Sequence, residues 1–394
     1  MSVPLDRLYS FLRDSSDHDI IIYRYCPHGS KKPTDLRPLT DLTALSQACD
    51  PHMLCHDQEP LDSTTGFFAS RWSRSLQNVM QCSMNFWSRC LVLHSELNSI
   101  HVAKISQVAE PVYWWSHALI AQDWFRYAKH DLTLQSKKIK QTFLVYNRAW
   151  AGTREYRLYV ADQLVTFDLV KHCLTSFNAV DSGHYSDHRF VNKKFQPQHN
   201  LEQYFDINNH PSWASADYNS SDYQSTAIEV VCETLFDDTR LHLTEKTLRP
   251  IACGQPFMLL STPGSLRYLR QYGFETFDPV IDESYDTIHD PIDRVQAVMH
   301  QMRRVLSHDR PAWLLKELQA RCDHNKKRFF SQEFLDQVVG EYRYNLNQAL
   351  RQAKQCLDPK YIRAYLKHSK FQSTFDRSDA KEIWLRYHRL SKIS

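Results

Sequence analysis

The chain has 394 residues, enough for two domains of ordinary size, and its 42% hydrophobic and 24% charged content excludes wholesale disorder. The N-terminal Met-Ser-Val-Pro-Leu-Asp-Arg lacks the basic-then-apolar layout of a signal peptide, and no apolar run approaches the roughly 20 residues that span a bilayer, so a cytoplasmic protein is expected. The ten cysteines form no Cys-x-x-Cys pair, which argues against a zinc ribbon or redox dithiol and predicts buried free thiols. A formal net charge of +3 conceals an asymmetry: residues 351–394 carry 11 Lys/Arg against 4 Asp/Glu, a net of +7, which leaves 3 − 7 = −4 for the remainder. Such a segment suits a phosphate-rich partner, and it suits equally a solvated helical face, because the charges are spread among Tyr, Leu and Ile.

In chain order, the apolar run Asp19–Tyr25 reads as a strand covered on both faces, ending in the turn Cys26-Pro27-His28-Gly29. A helix near Leu42–Ala48, a short strand Met53–Cys55, and the strand Cys90–His94 after a helical segment continue the alternation. Trp114–His130 reads as an amphipathic helix whose Trp114, Trp115, Trp124 and Phe125 are core rather than an acceptor platform. The polar, Lys-rich stretch 132–141 reads as a linker. A second half then opens with the strand Thr142–Tyr146 and a helix through Leu164. It continues with Ile228–Glu233, a helix from Glu245, the strand Pro256–Leu260, a helix Gly264–Tyr272 and a further strand Phe274–Phe277. Residues 181–222 read as long loops, and residues 294–353 and the tail beyond Lys360 as helical. The alternation predicts an α/β protein with parallel sheets and crossover helices.

The stretch Glu229–Asp286 carries the most chemistry. Thr244 has the character of an N-cap followed by an acidic residue, and Gly254 stands where a C-cap belongs, with Pro256 just beyond. A helix of about ten residues thus starts at Thr244-Glu245-Lys246. Its free amides, its positive dipole end and the Lys246 ammonium would favour a diphosphate. Glu233 and Glu245 are placed to accept hydrogen bonds from ribose or sugar hydroxyls. Pro263 and Gly264 open a second helix and a second anion-facing terminus. The plainer reading is a routine αβ unit with ordinary caps.

This stretch resembles the donor-binding region of GT-B glycosyltransferases, in particular the fucosyltransferase-type pattern of a Glu before a Thr-Glu-Lys helix start followed by a small residue, Gly and Pro. It is most similar in type to phage-encoded glycosyltransferases, on Thr244–Pro250, Gly273–Phe277 and Asp282–Asp286. The likeness extends to Tyr146-Asn147-Arg148, His56-Asp57-Gln58-Glu59-Pro60 and the region of Asp123-Trp124. Glu233 is followed by Thr-Leu rather than Asn-Ser and lies two residues further from Thr-Glu-Lys, which leaves the donor base and sugar open.

The resemblance implies two Rossmann-like domains facing a cleft: an acceptor domain over 1–133, a nucleotide-sugar domain over 142–350, and a basic helical tail over 351–394 packing back on the first. It implies a donor site of Asn147, Arg148, Arg154, Glu233, Thr244, Glu245 and Lys246. There Arg148 and Arg154 would grip the diphosphate with their forked guanidinium groups, and Lys246 would stabilise the leaving nucleotide. An inverting transfer needs a base for the acceptor hydroxyl, and Asp57 or Glu59 would serve, with Asp57 preferred. A polar turn built on Asp57 and Pro60 is the plainer alternative. The resemblance implies that basic residues and helix dipoles replace a bound metal, so no metal and no cofactor beyond the nucleotide-sugar co-substrate are expected.

The expected function is transfer of a sugar from a nucleotide diphosphate to an acceptor hydroxyl. The phage-like resemblance and basic tail point to double-stranded DNA bearing a hydroxymethylated pyrimidine, in the host cytoplasm. A surface glycan or a protein is the alternative acceptor. A non-catalytic α/β module that binds nucleic acid is the alternative of another class. Neither a P-loop nor a Gly-x-Gly-x-x-Gly fingerprint is present.

Overall fold

The computed structural model describes residues 20–24, 52–56, 60, 90–105, 110–148, 152–178, 193–206, 217–307 and 311–352. The described chain is α/β, with two four-stranded sheets in which every pairing is parallel. It divides into two compact units, one of residues 117–337 and the other comprising 4–116 and 338–394. Among the described residues no helix is long and apolar enough to cross a membrane.

The unit containing 4–116 carries strands β1 (Ile20–Arg24), β2 (His52–His56), β3 (Cys90–His94) and β4 (Glu110–Tyr113) in the order β1-β2-β3-β4, with helix α1 (Ile100–Ile105) between the last two. β4 escapes the sequence reading because it is four residues long and contains Pro111, which removes a ladder donor. Trp114 is buried against this sheet's end: its backbone N–H reaches His94 O at 2.8 Å. Its indole donates to Val338 O at 3.1 Å and its ring lies 5.2 Å from that of Tyr342. Asn345 donates to Tyr113 O at 2.9 Å, so residues 338–345 are fastened to the same unit. These contacts come from helix α9 (Gln332–Gln352), whose N-terminal residues belong to the other unit. The tail from 353 onward, the helix near Leu42–Ala48 and the turn Cys26–Gly29 lie outside the described residues.

The 117–337 unit begins within α2 (Ser116–Trp124), which passes into a 3-10 turn Arg126–Lys129; Trp115, Trp124 and Phe125 are buried, as core residues are. Its strands are β5 (Gln141–Arg148), β6 (Cys173–Asn178), β7 (Thr226–Cys232) and β8 (Phe257–Leu260), in the order β6-β5-β7-β8. Helices α3 (Tyr156–Thr166), α4 (Ser220–Ser225), α5 (Glu245–Cys253), α6 (Ser265–Gln271), α7 (Pro291–Ser307) and α8 (Pro311–Phe329) complete it. β7 is buried along its whole length, as a central parallel strand covered on both faces must be. Its Glu229 therefore needs an internal counter-charge, and Arg249 of α5 supplies it at 2.6 Å. Tyr223 donates to the other oxygen of Glu229, Arg249 Nε donates to Tyr223 Oη at 3.1 Å, and the guanidinium lies 4.5 Å from the Tyr146 ring centre.

Two sequence expectations are corrected here. The Lys-rich stretch 132–141 is no bare connector: Lys138 and Lys140 amides bond to Gln224 O and Ser225 O at 2.8 Å each. Lys137 Nζ donates to Tyr223 O at 2.7 Å and Gln255 Oε1 at 2.5 Å. Polarity alone suggested exposure, but these donors have acceptors in α4 and just before β8. The expected strand Phe274–Phe277 is a loop, because its backbone donors go to side chains: Glu275 N to Asn325 Oδ1 at 2.7 Å and Phe277 N to Glu283. Phe274 and Phe277 are buried as plugs, which explains the apolar signal.

Candidate functional site

The strand order reverses at β5, which pairs with β6 on one side and β7 on the other. β5 pairs with β7 from Gln141↔Thr226 to Leu144↔Glu229, and runs on beside β6 to Arg148↔Asn178. In open parallel sheets, ligands bind beyond the carboxyl ends of strands at such a reversal. Asn147 and Arg148 close β5 there, the 3-10 turn Gly152–Arg154 follows, and Glu233 follows β7 directly. Side chains join these ends. Arg157, at the start of α3, is buried and donates to Cys232 O at 2.7 Å and Glu233 O at 2.9 Å. Tyr156 Oη donates to Glu233 O at 2.6 Å, and Asn147 Nδ2 to Arg157 O at 2.8 Å. Asn147 Oδ1 is buried and has no hydrogen-bond partner among the described residues. Sequence reading missed Tyr156 and Arg157, since nothing in a lone Tyr-Arg pair signals that its bonds reach across some 75 residues.

Thr244 caps α5 as expected, in an extended conformation with its hydroxyl accepting from Lys246 N at 3.4 Å. Gly254 closes the helix at φ +70°, a left-handed conformation that a side chain resists. The amides of Thr244, Lys246 and Thr247 at the opening of α5 already have internal acceptors, however. Glu233, fully buried, accepts from Thr244 N at 2.9 Å, Thr247 N at 3.3 Å and Thr234 N at 3.0 Å. It also accepts from the Thr244 hydroxyl at 2.7 Å and the Thr247 hydroxyl at 2.5 Å. Its oxygens are thus used inside the protein rather than offered to sugar hydroxyls, and its charge sits where an external anion would meet the helix dipole. Burial alone would raise this carboxyl, but the nearby Lys246 charge and the hydrogen bonds from Thr247 and Thr244 outweigh it and hold it below the ordinary value.

The second expected anion-facing terminus is filled likewise. The Asp286 carboxylate sits on the amide of Leu266 at 3.1 and 3.2 Å, at the start of α6, after Gly264 at φ +85°. Burial pushes this carboxyl up to about 6. Internal carboxylates therefore occupy both helix starts that follow β7 and β8, for the dipole reason that suggested phosphates there.

The Lys246 ammonium, at the head of α5, bonds to Glu245 Oε1 at 2.7 Å, Thr244 Oγ1 at 3.2 Å and Thr234 Oγ1 at 3.3 Å. The buried Glu245 turns its other oxygen to His117 Nδ1 at 3.3 Å, and the His117 ring meets His242 edge-on at 5.1 Å. Burial works against the Glu245 charge, but the charge of Lys246 and the bond from His117 outweigh it and hold the carboxyl well below the usual range. His117 is a neighbour of Glu245 that only the fold discloses, 128 positions earlier in the chain.

Of the expected site residues, the structure gathers Asn147, Glu233, Thr244, Glu245 and Lys246 around the reversal, with Arg154 on the turn two residues before Tyr156. Arg148 closes β5 at the same end. Asp57 and Glu59 lie outside the described residues. Among the described residues no group of three or more His, Cys, Asp or Glu is arranged to hold a metal ion, and Cys173, Cys232, Cys253 and Cys322 are free and buried. No protein-family model, no curated protein and no solved structure matches this chain.

Proposed function

We propose that the chain is a nucleotide-sugar-dependent glycosyltransferase of the GT-B type, taking its donor at the β5/β7 reversal and inverting the sugar as it passes to an acceptor hydroxyl. The observation that supports this reading is that Asn147, Tyr156, Arg157 and Glu233 are joined by hydrogen bonds where, among the described strands of the second sheet, the order turns back. Because Glu233 and Asp286 fill the two helix starts, the donor diphosphate is held by side chains, with Arg148, Arg154 and Lys246 supplying the positive charge. Asp57 or Glu59 takes the acceptor proton. The acceptor is a hydroxymethylated pyrimidine in DNA, which the +7 charge of residues 351–394 favours over a neutral glycan.

A thermal-shift panel of nucleotide-sugars and nucleoside diphosphates tests the donor. A ligand at a hundred times its Kd adds about 2.7 kcal/mol, which moves a unit of this size by about 5–10 °C. A flat response to every nucleotide refutes the assignment. Binding to duplex DNA that weakens steeply with salt supports the acceptor, and salt-insensitive or absent binding directs attention to glycan or protein.

A further inference from the structure

Lys246 has three ammonium hydrogens, and three acceptors already face them: Glu245 Oε1, Thr244 Oγ1 and Thr234 Oγ1. About a fifth of its side chain is exposed, so an anion can approach. The strongest of the three partners is Glu245, whose second oxygen lies 3.3 Å from His117 Nδ1. Glu233 adds another carboxylate, which accepts from Thr234 N at 3.0 Å and from the Thr244 hydroxyl at 2.7 Å. Lys246 and the buried Arg157, which donates to the backbone oxygen of Glu233, only balance the two carboxylates, so this corner offers a polyanion no formal surplus of positive charge.

We infer that Glu245 is a built-in competitor for the anion that Lys246 holds: a nucleoside diphosphate enters only by displacing the carboxylate from the ammonium, and the carboxylate's return expels it. This rests on the proposed reading of Lys246 as a diphosphate residue and deepens it, since it makes Glu245 the residue that keeps product binding weak. Glu245 is then a positioning residue for Lys246, not a ligand of the ribose. The sign of its effect separates this from a structural role, because loss of a structural residue weakens binding whereas loss of a competitor strengthens it.

The test is calorimetric titration of the full chain with inorganic pyrophosphate and with ADP, CDP, GDP and UDP. Glu245→Gln keeps the shape and removes the charge, and should bind about tenfold tighter, the scale of deleting a unit charge a few ångström away at a dielectric close to that of water. Glu245→Asp, which keeps the charge, should not. Lys246→Ala should weaken binding, and adding Glu245→Gln to it should give a smaller gain than Glu245→Gln gives in the wild type, because no ammonium remains to compete for. Thr234→Val, nearly isosteric, frees one ammonium hydrogen and should tighten binding severalfold; it decides the matter if Glu245→Gln does not fold. Measurable wild-type binding that neither folded variant strengthens overturns the inference and leaves the donor site standing. Failure of every variant to bind any probe overturns the donor site itself.

Discussion

Replacing Glu233 with Ala removes the acceptor for five donors at once: the amides of Thr234, Thr244 and Thr247 and the hydroxyls of Thr244 and Thr247. The hydroxyls can rotate toward other acceptors, but the three amides are fixed by the backbone. At about 1 kcal/mol or somewhat more for each stranded donor, with about 0.5–1 kcal/mol for losing an anion at the head of α5, the cost is about 4 kcal/mol. Glu233→Gln keeps one acceptor oxygen but points an NH2 at donors, and should lose about half as much. Urea unfolding followed by tryptophan fluorescence reads the change in midpoint, and amide exchange at Thr244 and Thr247 shows whether the loss is centred there. The carboxyl is held below its ordinary value in the folded state, so its contribution is present above about pH 4.3 and is lost as the solution is acidified below that. A Glu233→Ala protein within about 0.5 kcal/mol of wild type, with unchanged exchange at those amides, would refute the clamp.

Arg249→Met should cost about 3–5 kcal/mol, because it strands the Glu229 carboxylate in a fully buried strand. Combining it with Glu229→Leu should recover much of that in the same urea assay. His94 is buried, which pushes its imidazole down to about 4, while the unfolded chain binds that proton near pH 6.5. Acidification through this window therefore favours the unfolded state by up to about 3 kcal/mol, and His94→Gln should flatten that part of the difference between urea midpoints at pH 7 and pH 4.5.

How much was legible follows from the range of the forces involved. β3 and β8 announce themselves as apolar runs, β7 as one broken by Glu229, and α5 by its Thr244 and Gly254 caps, because those signals are local. β6 was lost, since Cys-Leu-Thr-Ser-Phe-Asn reads neither as a buried run nor as a regular alternation. At the candidate site, the sequence singles out residues that the fold joins by hydrogen bonds, but it assigns their bonding by chemistry type. It shows that Glu233 is a carboxylate ahead of a helix; it does not show that the eleven-residue excursion from 233 to 244 folds back so that the helix meets its own carboxylate. The partners that decide what Lys246 and Glu245 can do, Thr234 and His117, come from outside the helix, and no periodicity links them.

The way β5 parts from β7 bears on how this corner can vary. Up to Leu144 and Glu229 the two strands are fixed by backbone pairing, which any substitution must respect. Past that point the buried side chains of Asn147, Tyr156 and Arg157, rather than a ladder between β5 and β7, join the strand ends. A shortened side chain at any of the three should therefore loosen the strand ends while the register set between Gln141 and Leu144 stays intact.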